Sequence, residues 1–330
     1  MSTPGKIVAL LVALATLYGI YYFTNNIVGD NRYATPARPD NEVEYVIDAD
    51  TANEIDDLFA IVGALARHDR TGQSDGPRLA GLVASQFHTS PLASDRSAAE
   101  SQAINQDLAR LMGQADLRLA EGSNRPLKDA RTPRRSTGAA FIAERGSLAS
   151  RENKLQVFVL GSCTNVASAL LLDPDLAYRM HVRYLGFWRD SLTGTYNLNE
   201  FNTGNDSLAL EVLLSDSRLE FTVMTATTSE ALQMTREDLA TRLPRNERLT
   251  KYLLDRWDDY DRWWTDEDPE KTRWTMWDVA SLEAWFEPEL ARLEQLPAPG
   301  GGRTIGVYTG IESEAMLDNW FSVVGNWLER

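Results

Sequence analysis

The sequence predicts an α/β fold with a mostly parallel central sheet flanked by helices. Three observations lead to it. Short apolar or β-branched runs, Val43–Ile47, Arg78–Ser85 and Leu155–Leu160 among them, read as strands buried on both faces. Between them lie stretches whose apolar residues recur at helical spacing. The most acidic segment, Asp48–Asp57, follows directly on the first strand, where ligand sites of parallel sheets lie.

Length and composition bound the possibilities. A chain of 330 residues allows one large domain or two modest ones. A net charge of −15 argues against a nucleic-acid partner, because no basic cluster is strong enough to offset it. Cys163 stands alone, so no internal disulfide forms. The only histidines are His68, His88 and His181, which limits chemistry that needs imidazole.

In chain order, Lys6 precedes an apolar run, Ile7–Phe23, that nearly spans a hydrocarbon core, and Tyr18, Tyr21 and Tyr22 sit at its outer end. Residues 1–25 therefore read as an N-terminal membrane helix. It would hold the protein membrane-anchored, with its domain on the extracytoplasmic side; a cleaved signal sequence would make it secreted. Residues 26–42, rich in Asn and Pro, read as a linker, and 43–330 as the folded domain.

Within that domain, Leu58, Ile61, Val62 and Leu65 predict a helix after the acidic loop. Helices are also expected over Ser97–Met112, Phe141–Ser150, Val166–Leu172, Glu237–Arg242, Thr250–Trp264 (an aromatic wall or lid), Met276–Phe286 and Leu317–Leu328. Further strands are expected at Leu117–Ala120, Val182–Phe187, Phe221–Thr225 and Arg303–Tyr308. Arg131–Gly138 reads as a basic, irregular loop.

The acidic loop carries the chemistry. Asp48, Asp50, Glu54, Asp56 and Asp57 fall within ten residues, and like charges near a sheet are costly unless compensated. A divalent cation with hard oxygen ligands, Ca²⁺ or Mg²⁺, is the simplest compensation. A helix dipole accounts for Asp56 and Asp57 but not for Asp48 and Asp50 at the strand end. Elsewhere, Thr164 and Asn165 suit a helix cap, Asp278 an N-cap, and Glu200 and Asn202 a turn.

Taken together, Asp48–Asp57, Glu121–Leu127, GSCTNVASALLLDPDL (Gly161–Leu176), Glu200-Phe201-Asn202 followed by Asp206, and DVASLEAWFEPEL (Asp278–Leu290) resemble the inosine–uridine-preferring nucleoside hydrolase family in order and rough spacing. That family has a nucleoside-hydrolase-like α/β domain with one Ca²⁺ at the base of its pocket. The resemblance implies that Asp50, Asp57 and Asp278 ligate the ion through side chains and Thr164 through its backbone carbonyl. It implies that Glu200 and Asn202, with Asn197 or Asn199, grip a riboside, and that His88 stands near a ribose-binding position. Asp50 would be the general base acting on a Ca²⁺-bound water, Asp48 and Asp56 would support the loop, and Asn53 and Trp277 would line the substrate. Members commonly form dimers or tetramers, so a homo-oligomer is the expectation for this chain too.

Two departures stand out. The acidic loop is two residues longer than the family's D-x-D-P-G-x-D-D-A and lacks its Pro-Gly, and Trp277 occupies the place of a histidine that helps the base leave. A tryptophan stacks but does not protonate. Two other readings therefore stand beside the hydrolase: a tethered riboside-binding protein without turnover, and a haloacid-dehalogenase-like phosphatase with Asp48 as nucleophile.

Overall fold

The first strand, β1 (Glu44–Ala49), is buried along its whole length and sits between two parallel neighbours, β2 (Arg78–Ala84) and β4 (Leu155–Val159). Only a strand apolar on both faces tolerates that position, and Tyr45, Val46 and Ile47 provide it. The protein is described from a computed structural model covering residues 43–68, 76–245, 247–265 and 267–330. The membrane helix and linker expected over residues 1–42 lie outside the described residues. Among the described residues, no helix is long and apolar enough to cross a membrane.

The other main strands are β3 (Arg118–Glu121), β5 (Met180–Gly186), β8 (Glu220–Thr225), β11 (Ala291–Pro297) and β12 (Thr304–Ile311). The sheet order is β11-β12-β8-β5-β4-β1-β2-β3, parallel except for the β11–β12 edge pair. Two small hairpins, β6 (Trp188–Arg189) with β7 (Tyr196–Asn197) and β9 (Gln233–Thr235) with β10 (Arg273–Thr275), stand apart from it.

Helices cover both faces. On one, α1 (Asp56–Arg67), α9 (Arg248–Asp259), α10 (Trp277–Phe286) and α11 (Ser313–Leu328) pack into a single apolar cluster with Phe59, Trp257 and Trp320 at its centre. On the other, α3 (Thr137–Ser147), α4 (Thr164–Leu172) and α6 (Ser207–Ser215) pack on Val157, Val159, Val182 and Val223. The helix α2 (Ser97–Leu111) flanks β2 and β3. The shorter helices among the described residues are α5 (Phe201–Asn205), α7 (Ala226–Ser229) and α8 (Arg236–Arg242), with 3₁₀ turns at Pro174–Tyr178 and Pro288–Leu290. Because the strands run parallel, the residues after β1, β2, β4 and β5 gather at one edge of the sheet, and that edge holds the site.

The structure moves several expected boundaries. The helix expected over Phe141–Ser150 starts earlier, at Thr137, because Ser136 Oγ accepts the Ala139 N–H (3.0 Å). The helix expected over Thr250–Trp264 ends at Asp259, where Lys271 Nζ donates to the Asp258 carbonyl (2.6 Å) and Tyr260 turns inward. Edge strand β11 carries no apolar signature, being mostly exposed, and is held by a turn with positive φ at Gly300, Gly301 and Gly302. Helix α6 follows an Asp206 cap whose Oδ1 accepts the Ala209 N–H (3.0 Å).

At the opposite end of the sheet, Glu44 is fully buried and held by Arg145, whose Nη2 lies 2.5 Å from both carboxylate oxygens, and by Arg78. This cluster ties β1 to β2 and α3. Removing one partner leaves a buried charge short of its counter-ions, which costs more than the pair is worth against an apolar replacement. Arg145→Met is therefore expected to lower unfolding free energy by about 3 kcal/mol in urea, and Glu44→Leu/Arg145→Met by less. A smaller loss in the single variant than in the double would contradict this account.

Candidate active site

The acidic loop closes tightly after β1, with Asn53 N–H donating to the Asp50 carbonyl (2.7 Å), and α1 begins at Asp56. The end of β4 passes very close: a Cβ on Gly161 would lie 2.7 Å from Asp50 Oδ1, so glycine is what lets Asp50 sit there. Two helices start at this loop. Asp56 Oδ2 accepts the Asp278 N–H at the start of α10 (3.1 Å), which joins segments 222 residues apart. Asp57 and Asp278 share a side-chain hydrogen bond. Asp56, Asp57 and Asp278 each present an oxygen within 4.8 Å of the others.

Asp50 faces this trio and adds its charge to Asp57 and Asp278. All four side chains are at most 3% exposed. Burial raises the pKa of each, and for Asp50, Asp57 and Asp278 neighbouring carboxylates raise it further. Asp56 is pushed up to about 7 by burial, its backbone hydrogen bonds working against the rise. Asp48, buried but hydrogen-bonded to Asn165, is pushed up to about 8.

Proximity groups Asp56 with Asp57 and Asp278, but hydrogen bonding separates them differently. Asp50 Oδ2, Asp57 Oδ1 and Asp278 Oδ1 are buried without a protein partner, as is Asp48 Oδ2, whose other oxygen is held by Asn165; Asp56 Oδ2 is used by the α10 backbone. Clustered buried carboxylate oxygens with no donor are the ligand set of a hard divalent cation, which would also favour their ionised forms, so the residues present fit one.

A belt of amides and hydroxyls fixes the surrounding strand ends. Asn165 Nδ2 donates to Asp48 Oδ1 (3.0 Å) and the Ala84 carbonyl (3.3 Å), and its Oδ1 accepts from Ser123 N (3.0 Å). Gln86 Nε2 bridges Ser162 Oγ, Thr164 Oγ1 and the Asn205 carbonyl. The Thr164 hydroxyl donates to Asp206 Oδ2 (2.7 Å), which also receives Leu127 N–H (2.8 Å). The roles of Asn165 and Gln86 as struts between strands were not legible from their positions alone.

The other expected site residues fall in different places. Glu200 is the cap of α5, accepting from Asn202 N at Oε1 and from Thr203 N and Phe187 N at Oε2. Asn202 donates to the Leu160 and Leu185 carbonyls, bracing β4 against β5. His88 is half-buried, its Nδ1 paired with Gln86 Oε1 (2.7 Å). Asn197 and Asn199 are exposed at and beyond β7. Asn53 is buried, with its side-chain oxygen unpartnered and its carbonyl accepting from the Tyr260 hydroxyl. Trp277 opens α10 next to Asp278, its indole N–H unpartnered.

Beside the carboxylates lies a cavity of about 310 Å³, lined among others by Glu54, Trp264, Trp274 and Trp277. Trp274 Nε1 donates to Glu54 Oε1 (2.7 Å), so the aromatic loop after α9 is stitched to the acidic loop at two points, here and at Tyr260–Asn53. Arg131, Arg134 and Arg135 do not line it, and Arg134 turns to the Pro126 carbonyl (2.6 Å).

A family model for inosine-uridine preferring nucleoside hydrolases matches residues 45–309. The chain belongs to that family. It is a hydrolase acting on N-glycosyl compounds, from a metal-dependent family. Among solved structures, this nucleoside hydrolase is similar to a plant nucleoside hydrolase (16% identity, TM-score 0.64, 87% of this chain and 99% of that one). It is similar too to a purine-preferring ribonucleoside hydrolase from Gardnerella vaginalis (16%, TM-score 0.65, 86% and 98%). A third match is the type III effector protein XopQ complexed with adenosine diphosphate ribose (15%, TM-score 0.64, 88% and 95%). At such identities the likeness is one of fold. A search of curated protein sequences found no match.

In this hydrolase Asn165 serves three strand-end groups at once, so its loss leaves buried polar atoms unmet. Asn165→Ala is expected to cost about 2–3 kcal/mol in chemical denaturation. Asn165→Asp, which sets a second carboxylate against Asp48, is expected to cost at least as much. A variant as stable as wild type would remove the strut from the account.

Proposed function

We propose that this nucleoside hydrolase cleaves the N-glycosidic bond of a riboside with a bound divalent cation, Ca²⁺ in preference to Mg²⁺. The observation that carries the reading is the set of unpartnered, buried oxygens on Asp50, Asp57 and Asp278. Those side chains, with the backbone carbonyl of Thr164, would hold the ion. When bound, it would supply Lewis acidity and hold the diol of the sugar.

The protein's own groups do the rest. Asp50, at the end of β1, takes the proton of the attacking water as the glycosidic bond breaks. The surrounding carboxylates favour the oxocarbenium-like transition state over the neutral substrate. Asp48, braced by Asn165, and Asp56, tied to the start of α10, keep Asp50, Asp57 and Asp278 in place. Glu200 Oε1 has acceptor capacity left beyond the Asn202 N–H, and Asn202 keeps its side-chain carbonyl, so both can meet the hydroxymethyl end of the sugar. His88, Asn53, Asn197 and Asn199 complete the rim, and Trp277 faces the leaving group. The N-terminal segment would tether the domain outside the cytosol.

A second reading, binding without turnover, draws on one observation: an indole stands next to Asp278, where a proton donor would assist a neutral base.

The test is ribose release from a panel of ribosides by the full chain with Ca²⁺, against Asp50→Asn. Wild-type release, reduced about 10²–10⁴-fold in the variant, is the expected result. Binding without release from any riboside would leave only the second reading. Independently, saturating Ca²⁺ is expected to stabilise the wild type, by about 2.7 kcal/mol at a hundredfold excess over Kd. Asp57→Asn should lose that gain while melting higher than wild type in chelator, because one buried like charge is gone. Equal Ca²⁺ stabilisation of both proteins would remove Asp57 from the ligand set.

A further inference from the structure

The cavity beside the carboxylates adjoins the site through two of its own residues: Glu54 lies two positions before Asp56, and Trp277 precedes Asp278. Its walls have a particular chemistry. Trp264, Trp274 and Trp277 supply aromatic surface. Trp277 makes no aromatic ring pair among the described residues, unlike Trp264, which meets Tyr260, Trp263 and Trp274; it packs half-buried against the apolar cluster, and its cavity-facing surface has no aromatic partner. Among the described residues lining the cavity there is no histidine, lysine, tyrosine or cysteine. His68 follows the far end of α1, His181 is the second residue of β5 at the opposite edge of the sheet, and His88 is engaged with Gln86. The nearby Tyr260 hydroxyl is committed to the Asn53 carbonyl.

The charges point the same way. Arg262 is already neutralised, donating to Asp268 Oδ2 (3.2 Å) and to the Arg273 carbonyl (3.0 Å), and its guanidinium lies over the Trp274 ring at 5.0 Å. The cavity thus already seats one cation on a tryptophan. Arg273 and Glu267 are exposed. Glu54 is the inner carboxylate, oriented by the Trp274 indole N–H, and among the described residues it forms no close ion pair. Burial and the Asp56 and Asp50 carboxylates raise its pKa well above the usual carboxylate range, with the Trp274 N–H and Arg262 working against the rise, so an added cation would favour its charged form.

Resting on the hydrolase reading above, we infer that the leaving group is a flat heteroaromatic cation, of the N-ribosyl pyridinium or N-alkylated purinium class. Its ring would stack on Trp277 with its positive charge beside Glu54. In such a substrate the ring nitrogen carries the charge. Heterolysis of the C1′–N bond returns both bonding electrons to that nitrogen, and the heterocycle leaves neutral. Water oxygen bonds to C1′, and its proton passes to Asp50 and then to solvent. The products are one ribose, one neutral heterocycle and one proton, and no proton is needed at the leaving group. An indole at position 277 is then no handicap, and the cavity's lack of a histidine, lysine or tyrosine donor follows.

Two readouts on the full chain with Ca²⁺ test this. The first is quenching of tryptophan emission by 1-methylnicotinamide against uncharged nicotinamide, which needs no turnover. The second is ribose release from nicotinamide riboside against inosine and uridine. The inference expects the cation to bind at least tenfold tighter, and Glu54→Gln to erase most of that preference. It expects nicotinamide riboside to be the fastest substrate, with Glu54→Gln raising its KM more than it lowers kcat. Trp277→Phe should keep the preference and Trp277→Leu reduce it, with melting curves showing both folded.

Equal binding of the neutral ring, or faster turnover of inosine or uridine, would overturn the inference while leaving the hydrolase intact. Loss of turnover on neutral nucleosides alone in Glu54→Gln would also overturn it, by making Glu54 a proton donor. A Glu54-dependent cation preference with no ribose released from any substrate would sink the hydrolase reading instead and leave the recognition of the cation supported.

Discussion

The mutual repulsion of carboxylates buried at the end of β1 is the constraint on which the rest of this structure depends. Four acidic side chains with almost no exposure cannot coexist as bare anions in a low-dielectric setting. The fold answers with geometry: two helix N-termini converge on them, Asp56 is consumed by the α10 backbone, and Asp57 and Asp278 share a hydrogen bond. The shared hydrogen bond takes one proton, so these devices reduce the charge without cancelling it. The remaining oxygens are those with nothing in the protein to bind, and a metal-dependent family is the context in which such a deficit makes sense.

The two ends of the sheet deal with buried charge in opposite ways. At the N-terminal end Glu44 is saturated by Arg145 and Arg78, a closed arrangement that has no ligand to wait for. At the C-terminal end the acids outnumber their donors, and Asn165 and Gln86 supply hydrogen bonds to strand ends without supplying charge. A neutral amide strut holds geometry while leaving the electrostatic demand unmet, which a lysine in the same place would have cancelled.

Much of this was legible in the sequence, and what was not has identifiable causes. The runs around Tyr45–Ile47 and Val157–Val159 announce buried parallel strands, and Asp48–Asp57 announces the site, because both signals are local. Strand β11 was missed because an exposed edge strand with Arg292, Glu294 and Gln295 carries no apolar run. Helix α6 has only nine residues and three buried positions, Ala209, Leu210 and Leu213, so its local pattern is weak without the Asp206 cap that starts it. The struts at Asn165 and Gln86 depend on partners some 80 residues away, which local pattern does not encode. In the sequence Glu54 is one acid among five. Its distinct place became visible only when the chain brought Trp274, 220 residues on, against it.

The hydrogen bond from Asp278 to Asp56 carries a consequence for how the protein is made. Its two ends lie 222 residues apart, so the acidic pocket does not exist in any partial product of synthesis or in any early folding intermediate built from local contacts. A growing chain therefore offers the acidic loop as an ordinary solvated turn, tolerable because water screens it. The electrostatic stress appears only at the last long-range closure, and an ion arriving at that moment would make completion of the fold and loading of the site a single thermodynamic event.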